Sequence, residues 1–279
     1  MRVVTSWRDA ELPTGNIVAM NIVVLIKQVP DTWSTRTLAD SDHTLDRDSA
    51  DVVLDEINER AVEEALKIKE ATDGEVTVVT MGPQRATDAI RKALSMGADK
   101  AVHLTDEGLH GSCAVATAKV LAKVIGTLGD VDLIIAGNEA TDGTVGAVPA
   151  MVADVLGLPE LTHARKVTVE GRTVTVERET DDAITVLQAD LPAVVSVNEK
   201  INEPRYPSFK GIMAAKKKSV STLSLADAGI ERSDVGLANA TSVVIESTPR
   251  PPRVAGQVVT DEGDGAAKLA DYLIGQKLI

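Results

Sequence analysis

Short apolar runs alternate with helical segments between residues 21 and 158, and this alternation limits the folds that the chain can adopt. The runs are rich in Val and Ile and are too short to be helices: 21–26, 76–80, 101–104 and 131–136. Helices are predicted at about 56–71, 83–97, 112–128 and 145–156. A strand–helix repeat of this kind predicts an α/β fold with a doubly wound, mostly parallel, Rossmann-like sheet.

Residues that favour helix starts stand at several of these boundaries. Asp55, Ser112 and Thr144 are predicted N-caps, and Pro83 is predicted near the first position of its helix. Within the first helix, Glu63 and the lysine four residues later predict an ion pair. The three N-caps and Pro83 define the helix starts that we expect.

The pattern changes after residue 158. The sequence predicts a hairpin, then two extended runs, the last of which returns to the sheet: 166–170 with 173–179, 183–189 and 193–198. From residue 203 onward the strand–helix repeat is lost, and only a short helix at 266–278 is predicted near the end.

Three regions are therefore expected. Residues 1–19 have no continuous apolar core and are predicted to be a disordered extension, with Met20 as the native start. Residues 20–200 form the α/β nucleotide-binding domain. Residues 201–279 form a recognition loop and a C-terminal arm, which either wraps a partner subunit or is disordered.

Composition excludes several classes of function. The 279 residues carry a net charge of −13, which argues against nucleic acid as a partner. The single cysteine, Cys113, permits no internal disulfide and fits a reducing cytoplasm. No apolar run approaches the ~20 residues of a membrane span, so membrane insertion is not expected. The four histidines show no metal-ligand spacing.

A polar, glycine-containing loop joins the fourth predicted strand to the helix at 145–156. Strand, loop and helix N-terminus is a geometry that binds phosphate through free backbone N–H groups. Gly137, Gly143 and Gly146 match neither the Walker pattern nor GxGxxG, so an ordinary strand–helix turn is an equally open interpretation. In a parallel sheet, this loop should lie close to the loops at 27–31 and 80–83, beyond the carboxyl ends of the strands.

No nucleophile–base pair is visible in these three loops. Asp31 and Asp142 could form a carboxylate pair, but Asp in such loops is more often a cap or turn residue, and we favour that interpretation. The residues alone therefore indicate a nucleotide-binding domain without evident catalytic machinery.

The stretch NEPRYPSFKGIMAAKKK, residues 202–218, is the second informative segment. Phe209 is the only Phe of the chain and lies between prolines and a glycine. It is either a buried plug or an exposed anchor for a partner. The three lysines at 216–218 form a cationic run in an acidic protein, or an ordinary solvated patch.

Four motifs give the chain a specific resemblance over about residues 20–230. They are KQVPD at 27–31, NERAVEEA at 58–65, IRKALSMGAD at 90–99 and the 202–218 stretch. With these the sequence resembles the β subunit of an electron transfer flavoprotein. The resemblance implies a heterodimer with an FAD-carrying α subunit and a structural AMP on the β subunit. It also implies transient partners in fatty acid β-oxidation: acyl-CoA dehydrogenases as donors and a membrane-bound quinone oxidoreductase as acceptor.

The resemblance also implies two sets of binding residues. Those expected to meet the nucleotide are Leu25, Asp55, Glu56, Ile57, Asn58, Met81, Asn138, Glu139, Ala140, Thr141, Asp142, Gly143, Thr144, Val145, Gly146, Ala147, Val148 and Pro149. Gly143 is expected to allow close approach of the phosphate, with a positive φ. Those expected to dock dehydrogenases are Tyr206, Ser208, Phe209, Lys210, Ile212 and Met213.

Two alternatives stay open. The loop lacks the Asn-Gln pair of some AMP-binding relatives, and electron-bifurcating relatives hold a second FAD here; the loop favours AMP. The second alternative is a stand-alone enzyme of similar fold that hydrolyses or transfers an adenylate.

Overall fold

Ten strands form one sheet in the part of the chain that the structure describes, which is residues 2–3, 19–252, 256 and 258–279 of a computed structural model. In chain order the strands are β1 Arg2–Val3, β2 Asn21–Leu25, β3 Gln28–Pro30, β4 Val52–Leu54, β5 Glu75–Met81, β6 Lys100–Leu104, β7 Leu133–Gly137, β8 Glu160–Glu170, β9 Thr173–Glu179, β10 Ile184–Asp190, β11 Ala193–Val197 and β12 Val220–Leu223. The order across the sheet is β1-β10-β9-β8-β11-β7-β2-β5-β6-β12, while β3 and β4 pair separately.

The centre of this sheet is parallel. Every pair from β8 through β11, β7, β2, β5 and β6 to β12 is parallel, whereas β8, β9, β10 and β1 form an antiparallel extension at one side. The chain runs from β2 to β5 and β6 on one side and returns to β7 on the other. The switch point of the sheet therefore lies between β2 and β7. The prediction of a doubly wound, mostly parallel sheet is confirmed.

Helices cover both faces of the sheet, because its central strands are apolar on both sides. The α-helices are α1 Glu56–Thr72, α2 Thr87–Met96, α3 Ala114–Gly126, α4 Val148–Leu156, α5 Phe209–Ala215 and α6 Gly265–Gly275. One face buries Ile22 and Val24 of β2 under α1 and α2. The other buries Val23 and Leu25 under α3 and α4. This alternation along β2 creates two hydrophobic cores.

The predicted helix starts have mixed outcomes. Asp55 caps α1 as expected, since its side chain accepts the N–H groups of Ile57 and Asn58. The prediction for Ser112 is wrong: Cys113 is the N-cap residue of α3, and the Ser112 hydroxyl instead bonds the carbonyl of Leu109 and the N–H of a later segment. The local sequence favoured Ser112 as the N-cap, but its hydroxyl accepts the N–H of Gly236, which is distant in sequence.

Pro83 and Thr144 also differ from expectation. Pro83 precedes a 3₁₀ turn, Gln84–Ala86, and α2 begins only after it. Thr144 has φ +47 and its N–H donates to the carbonyl of Ala140, so the chain makes a tight turn there instead of entering the helix. As a result α4 begins at Val148, three residues later than predicted, and Ala147 gives it no side-chain cap.

The chain beyond residue 203 is more ordered than predicted. It contains α5 and then β12, which pairs in parallel with β6 and extends the sheet. Leu225, Ile230 and Val235 are buried in the core on the α3 face. The expected loss of secondary structure after residue 203 is therefore wrong for this part, because its apolar residues find partners far away in sequence.

The chain divides into two compact units, with the boundary between residues 245 and 246. The first includes the segment from 201 to 245, which we had assigned to an arm. The second, Glu246–Ile279, carries α6, close to the terminal helix predicted at 266–278. The predicted extension at 1–19 lies almost entirely outside the described residues. Among those that are described, no helix is long and apolar enough to cross a membrane.

Candidate functional site

Three loops meet where the parallel strands end, as the sequence predicted. The segment after β2 contacts the 3₁₀ turn that follows the loop at 80–83, and it also contacts the loop after β7: the Gln28 side chain donates to the Arg85 carbonyl at 2.8 Å, and Lys27 Nζ lies 2.7 Å from Asp142 Oδ1. The Lys27 N–H also donates to Asn58 Oδ1 at 2.7 Å, which connects this loop to the start of α1. The side chains that hold the loops together thus lie at the switch point of the sheet.

Asp55 holds the start of α1 and the loop after β7 together. One of its oxygens accepts the N–H groups of Ile57 and Asn58, at 2.9 and 3.3 Å. The other accepts the N–H and the hydroxyl of Thr141, at 2.7 and 2.8 Å. Both carboxylate oxygens are therefore occupied inside the protein. The expected contact of Asp55 with a nucleotide stays a prediction, and its buried carboxylate holds the loop after β7 at the start of α1.

Asp142 is bound from two directions. Its side chain is 1% exposed and pairs with Lys27 at 2.7 Å and with Arg47 at 3.0 Å. Burial acts to raise the pKa of the Asp142 carboxyl, but the two neighbouring cations outweigh burial and hold the pKa below its ordinary value of 3.8. The Asp31 carboxylate accepts the N–H of Trp33 at 2.9 Å, as a turn residue does. The favoured interpretation of both aspartates as structural agrees with these contacts.

The start of α4 offers hydrogen-bond donors. The first N–H groups of any helix lack intrahelical partners and point outward from its N-terminus. Pro149 lies in the first turn, as predicted, and removes one of these donors. In the same loop, Asn138 Oδ1 is buried and has no hydrogen-bond partner within the part of the chain that the structure describes. A group with both anionic and donor atoms would suit this surface.

The glycines of this loop differ from expectation. Gly143 has no positive φ, and a Cβ there would meet nothing within 4 Å. The left-handed conformations belong to Thr144, at φ +47, and Gly146, at φ +66. A side chain is sterically excluded at Gly137 instead, where a Cβ would stand 2.6 Å from Asn58 Nδ2. The reason we gave for Gly143 is therefore wrong, and the steric requirement lies at Gly137.

The structure brings the other predicted nucleotide residues to the same edge. Leu25 and Met81 end neighbouring strands, and Ile57 lies beside Gly137. The Glu56 carboxylate accepts the Thr32 hydroxyl. Lys27, Arg47 and Gly137 were not among the predicted binding residues. Lys27 and Gly137 were recognised only as parts of their loops, whereas Arg47 reaches Asp142 across 95 residues and has no local signal.

A separate cleft does not coincide with these loops. It has a volume of about 640 Å³ and is lined mainly by residues of α3 and α4, including Val115, Met151 and Val155. None of its lining residues belongs to the loop at 137–147.

The second predicted site lies on the segment 202–218. Phe209 is 81% exposed and Tyr206 94% exposed, and the remaining apolar members, Ile212 and Met213, are also exposed. Phe209 is thus not a core plug. It begins the short helix α5 and does not lie in a loop, and Ser208 caps that helix by accepting the N–H of Gly211 at 3.0 Å.

The fold and these loops define a class: an α/β protein with a Rossmann-like sheet whose polar loops gather at its switch point. A family model described as "Electron transfer flavoprotein domain" matches residues 42–228. The electron transfer flavoprotein subunit beta of Mycobacterium tuberculosis is 65% identical over 264 residues, which cover 93% of this chain and 99% of that protein. The protein of that name from Mycobacterium leprae is 64% identical over the same length and with the same coverage.

A more distant relative is the caffeyl-CoA reductase-Etf complex subunit CarD of Acetobacterium woodii. It is 33% identical over 242 residues, which cover 86% of this chain and 92% of that protein. This chain belongs to the electron transfer flavoprotein family, as a β subunit. Its function is electron transfer in association with a flavin, and its family implies an α-subunit partner.

Proposed function

We propose that the chain forms a heterodimer with an FAD-carrying α subunit. This heterodimer accepts electrons from acyl-CoA dehydrogenases and other flavin dehydrogenases, and passes them to a membrane-bound quinone oxidoreductase. The heterodimer itself is cytoplasmic. When bound, FAD supplies the redox chemistry. The observation that carries the proposal is the exposed apolar surface of residues 206–213, which lies within the segment matched by the family model. Exposed aromatic side chains of this kind are typical anchors in protein interfaces.

The proposed structural ligand of this chain is AMP. The free N–H groups at the start of α4 would hold its phosphate, since they favour an anion. Asn138 Oδ1, buried without a partner, would accept a hydrogen bond from the nucleoside. Asp55 and Asp142 would keep the loop in place through their internal contacts. The residues present therefore fit an adenylate, held mainly by backbone.

Co-expression with the α subunit tests both ligands. The heterodimer should carry one FAD and one AMP, which denaturation would release for identification. A heterodimer with FAD but without AMP would contradict the nucleotide assignment. Turnover of an adenylate by the isolated chain would favour the stand-alone enzyme instead.

Phe209→Ala tests docking. Removal of a central aromatic anchor should weaken dehydrogenase binding by about ten- to a hundredfold. Electron-transfer encounters have small interfaces, so few other contacts can compensate. The dehydrogenase-coupled reduction of FAD should slow, while FAD content, AMP content and reduction by dithionite stay unchanged.

Ile184→Ala is a matched control, because Ile184 is an exposed apolar residue on the antiparallel side of the sheet. It should leave the coupled rate unchanged. A coupled rate for Phe209→Ala equal to that of the control would contradict the docking proposal.

The second compact unit is the proposed arm toward the α subunit. Its helix α6 exposes Leu269, Tyr272 and Ile274, and Leu278 follows as another exposed apolar residue. Exposed apolar side chains in this number favour a partner surface over solvent.

A further inference from the structure

The first half of the docking segment is bound to helix α1. The Asn202 side chain donates to the Arg60 carbonyl and to Glu64 Oε2, each at 3.0 Å, and Arg60 donates back to the Asn202 carbonyl. These bonds join residues 138 to 142 positions apart in sequence. The segment therefore leaves the core at a defined point on α1.

Arg205 makes the strongest contact of this group. Its guanidinium binds the Glu63 carboxylate with two bonds, at 2.8 and 3.1 Å, and its backbone N–H adds a third at 3.1 Å. The Glu63 side chain is 6% exposed, and the outer side of the guanidinium binds Glu70 at 2.5 Å. The sequence predicted an ion pair between Glu63 and Lys67. That prediction is wrong, because the Glu63 carboxylate binds Arg205 instead. A two-point arginine–carboxylate contact fixes orientation as well as distance.

The second half of the segment is bound to α2. A Cβ on Gly211 would stand 2.5 Å from the Ser95 carbonyl oxygen, so α5 approaches the backbone of α2 closely. Arg91 donates to the Ala215 carbonyl at 2.8 Å, and Lys218 donates to the Leu94 carbonyl at 3.0 Å. The exposed apolar residues thus lie between two fixed ends.

We infer that Glu63, acting through Arg205, is a positioning residue that holds the Phe209 anchor ready for a dehydrogenase before it arrives. The inference rests on the proposed docking function. Tyr206 directly follows Arg205, and Phe209 lies four residues after it. A surface that is already ordered loses less conformational entropy when its partner binds.

The test uses the FAD-loaded heterodimer and a double-mutant cycle of Glu63→Gln and Phe209→Ala. Glu63→Gln removes the charge at nearly constant size. In the wild-type background it should raise the KM of the dehydrogenase for the heterodimer by about two- to tenfold, the cost of ordering one or two side chains. The kcat at saturation and the reduction by dithionite should stay unchanged.

In the Phe209→Ala background, Glu63→Gln should add little, because the anchor that it positions is gone. Hydrogen exchange at residues 203–211 should quicken in Glu63→Gln. The control Glu59→Gln lies on the same helix but pairs with Lys92 at 3.7 Å, and it should leave KM and exchange unchanged. Arg205→Lys removes the two-point contact by a second route and should reproduce the rise in KM.

The outcomes separate this inference from the docking proposal. If Phe209→Ala raises KM and Glu63→Gln does not, positioning by Glu63 is refuted while docking stands. If Glu63→Gln raises KM equally in both backgrounds, its effect does not pass through Phe209 and the inference is overturned. If Phe209→Ala itself has no effect, the docking proposal fails first.

Discussion

Asp55 offers the sharpest test of how the loop after β7 is held. Its carboxylate is fully buried and accepts four hydrogen bonds, two that cap α1 and two from Thr141. Loss of an N-cap costs about 1 kcal/mol. Each buried donor left without a partner costs about 1–3 kcal/mol. Because the loop can relax toward water, Asp55→Ala should lower the free energy of unfolding by about 3–5 kcal/mol.

Asp55→Ser separates the capping contribution to this free energy from the contribution of the bonds to Thr141. Serine caps helices nearly as well as aspartate, but it has one oxygen and cannot also reach Thr141. It should therefore cost about 1 kcal/mol less than Asp55→Ala. Thr141→Val removes only the hydroxyl bond and should cost about 1 kcal/mol.

Urea unfolding of the heterodimer at one fixed protein concentration measures the series, with AMP content determined on the same samples. Both Asp55 variants should lose AMP, since both release the loop. An Asp55→Ser variant with the wild-type urea midpoint and full AMP content would refute the role of Asp55 as a clamp. Equal costs for the serine and alanine variants would refute the capping contribution.

Three further predictions follow from the same contacts. Gly137→Ala should destabilise by about 1–3 kcal/mol, because its Cβ would meet Asn58 at 2.6 Å, whereas Gly143→Ala, with open space around it, should stay within about 0.5 kcal/mol in the same urea assay. The pKa of Asp142 is lowered in the folded state, so its stabilisation is complete above the ordinary value of 3.8 and is lost as the pH falls through the lower folded value. As the pH falls below 3.8, the melting temperature of the wild type should therefore fall more than that of Asp142→Asn. Hydrogen exchange in residues 246–279 should slow when the α subunit binds, and equal exchange in the free and complexed chain would contradict the proposed arm.

Local signals in the sequence determined the fold class. The apolar runs, their lengths and the intervening helical periodicity predicted a mostly parallel sheet, because burial on both faces requires such runs. Asp55 was recognisable as a cap, since a cap acts on the residues that directly follow it. The motif at 202–218, together with those at 27–31, 58–65 and 90–99, likewise indicated the family.

Only the tertiary structure decided how the site is held. Asp55 and Thr141 are 86 residues apart, and Arg205 and Glu63 are 142 apart, so no local pattern records either contact. The start of α4 moved to Val148 because the preceding loop is tied down at Thr141 and turns tightly before the helix begins. Propensity acts over a few neighbouring residues, whereas a buried polar side chain takes whichever partner the packed chain brings within about 3 Å.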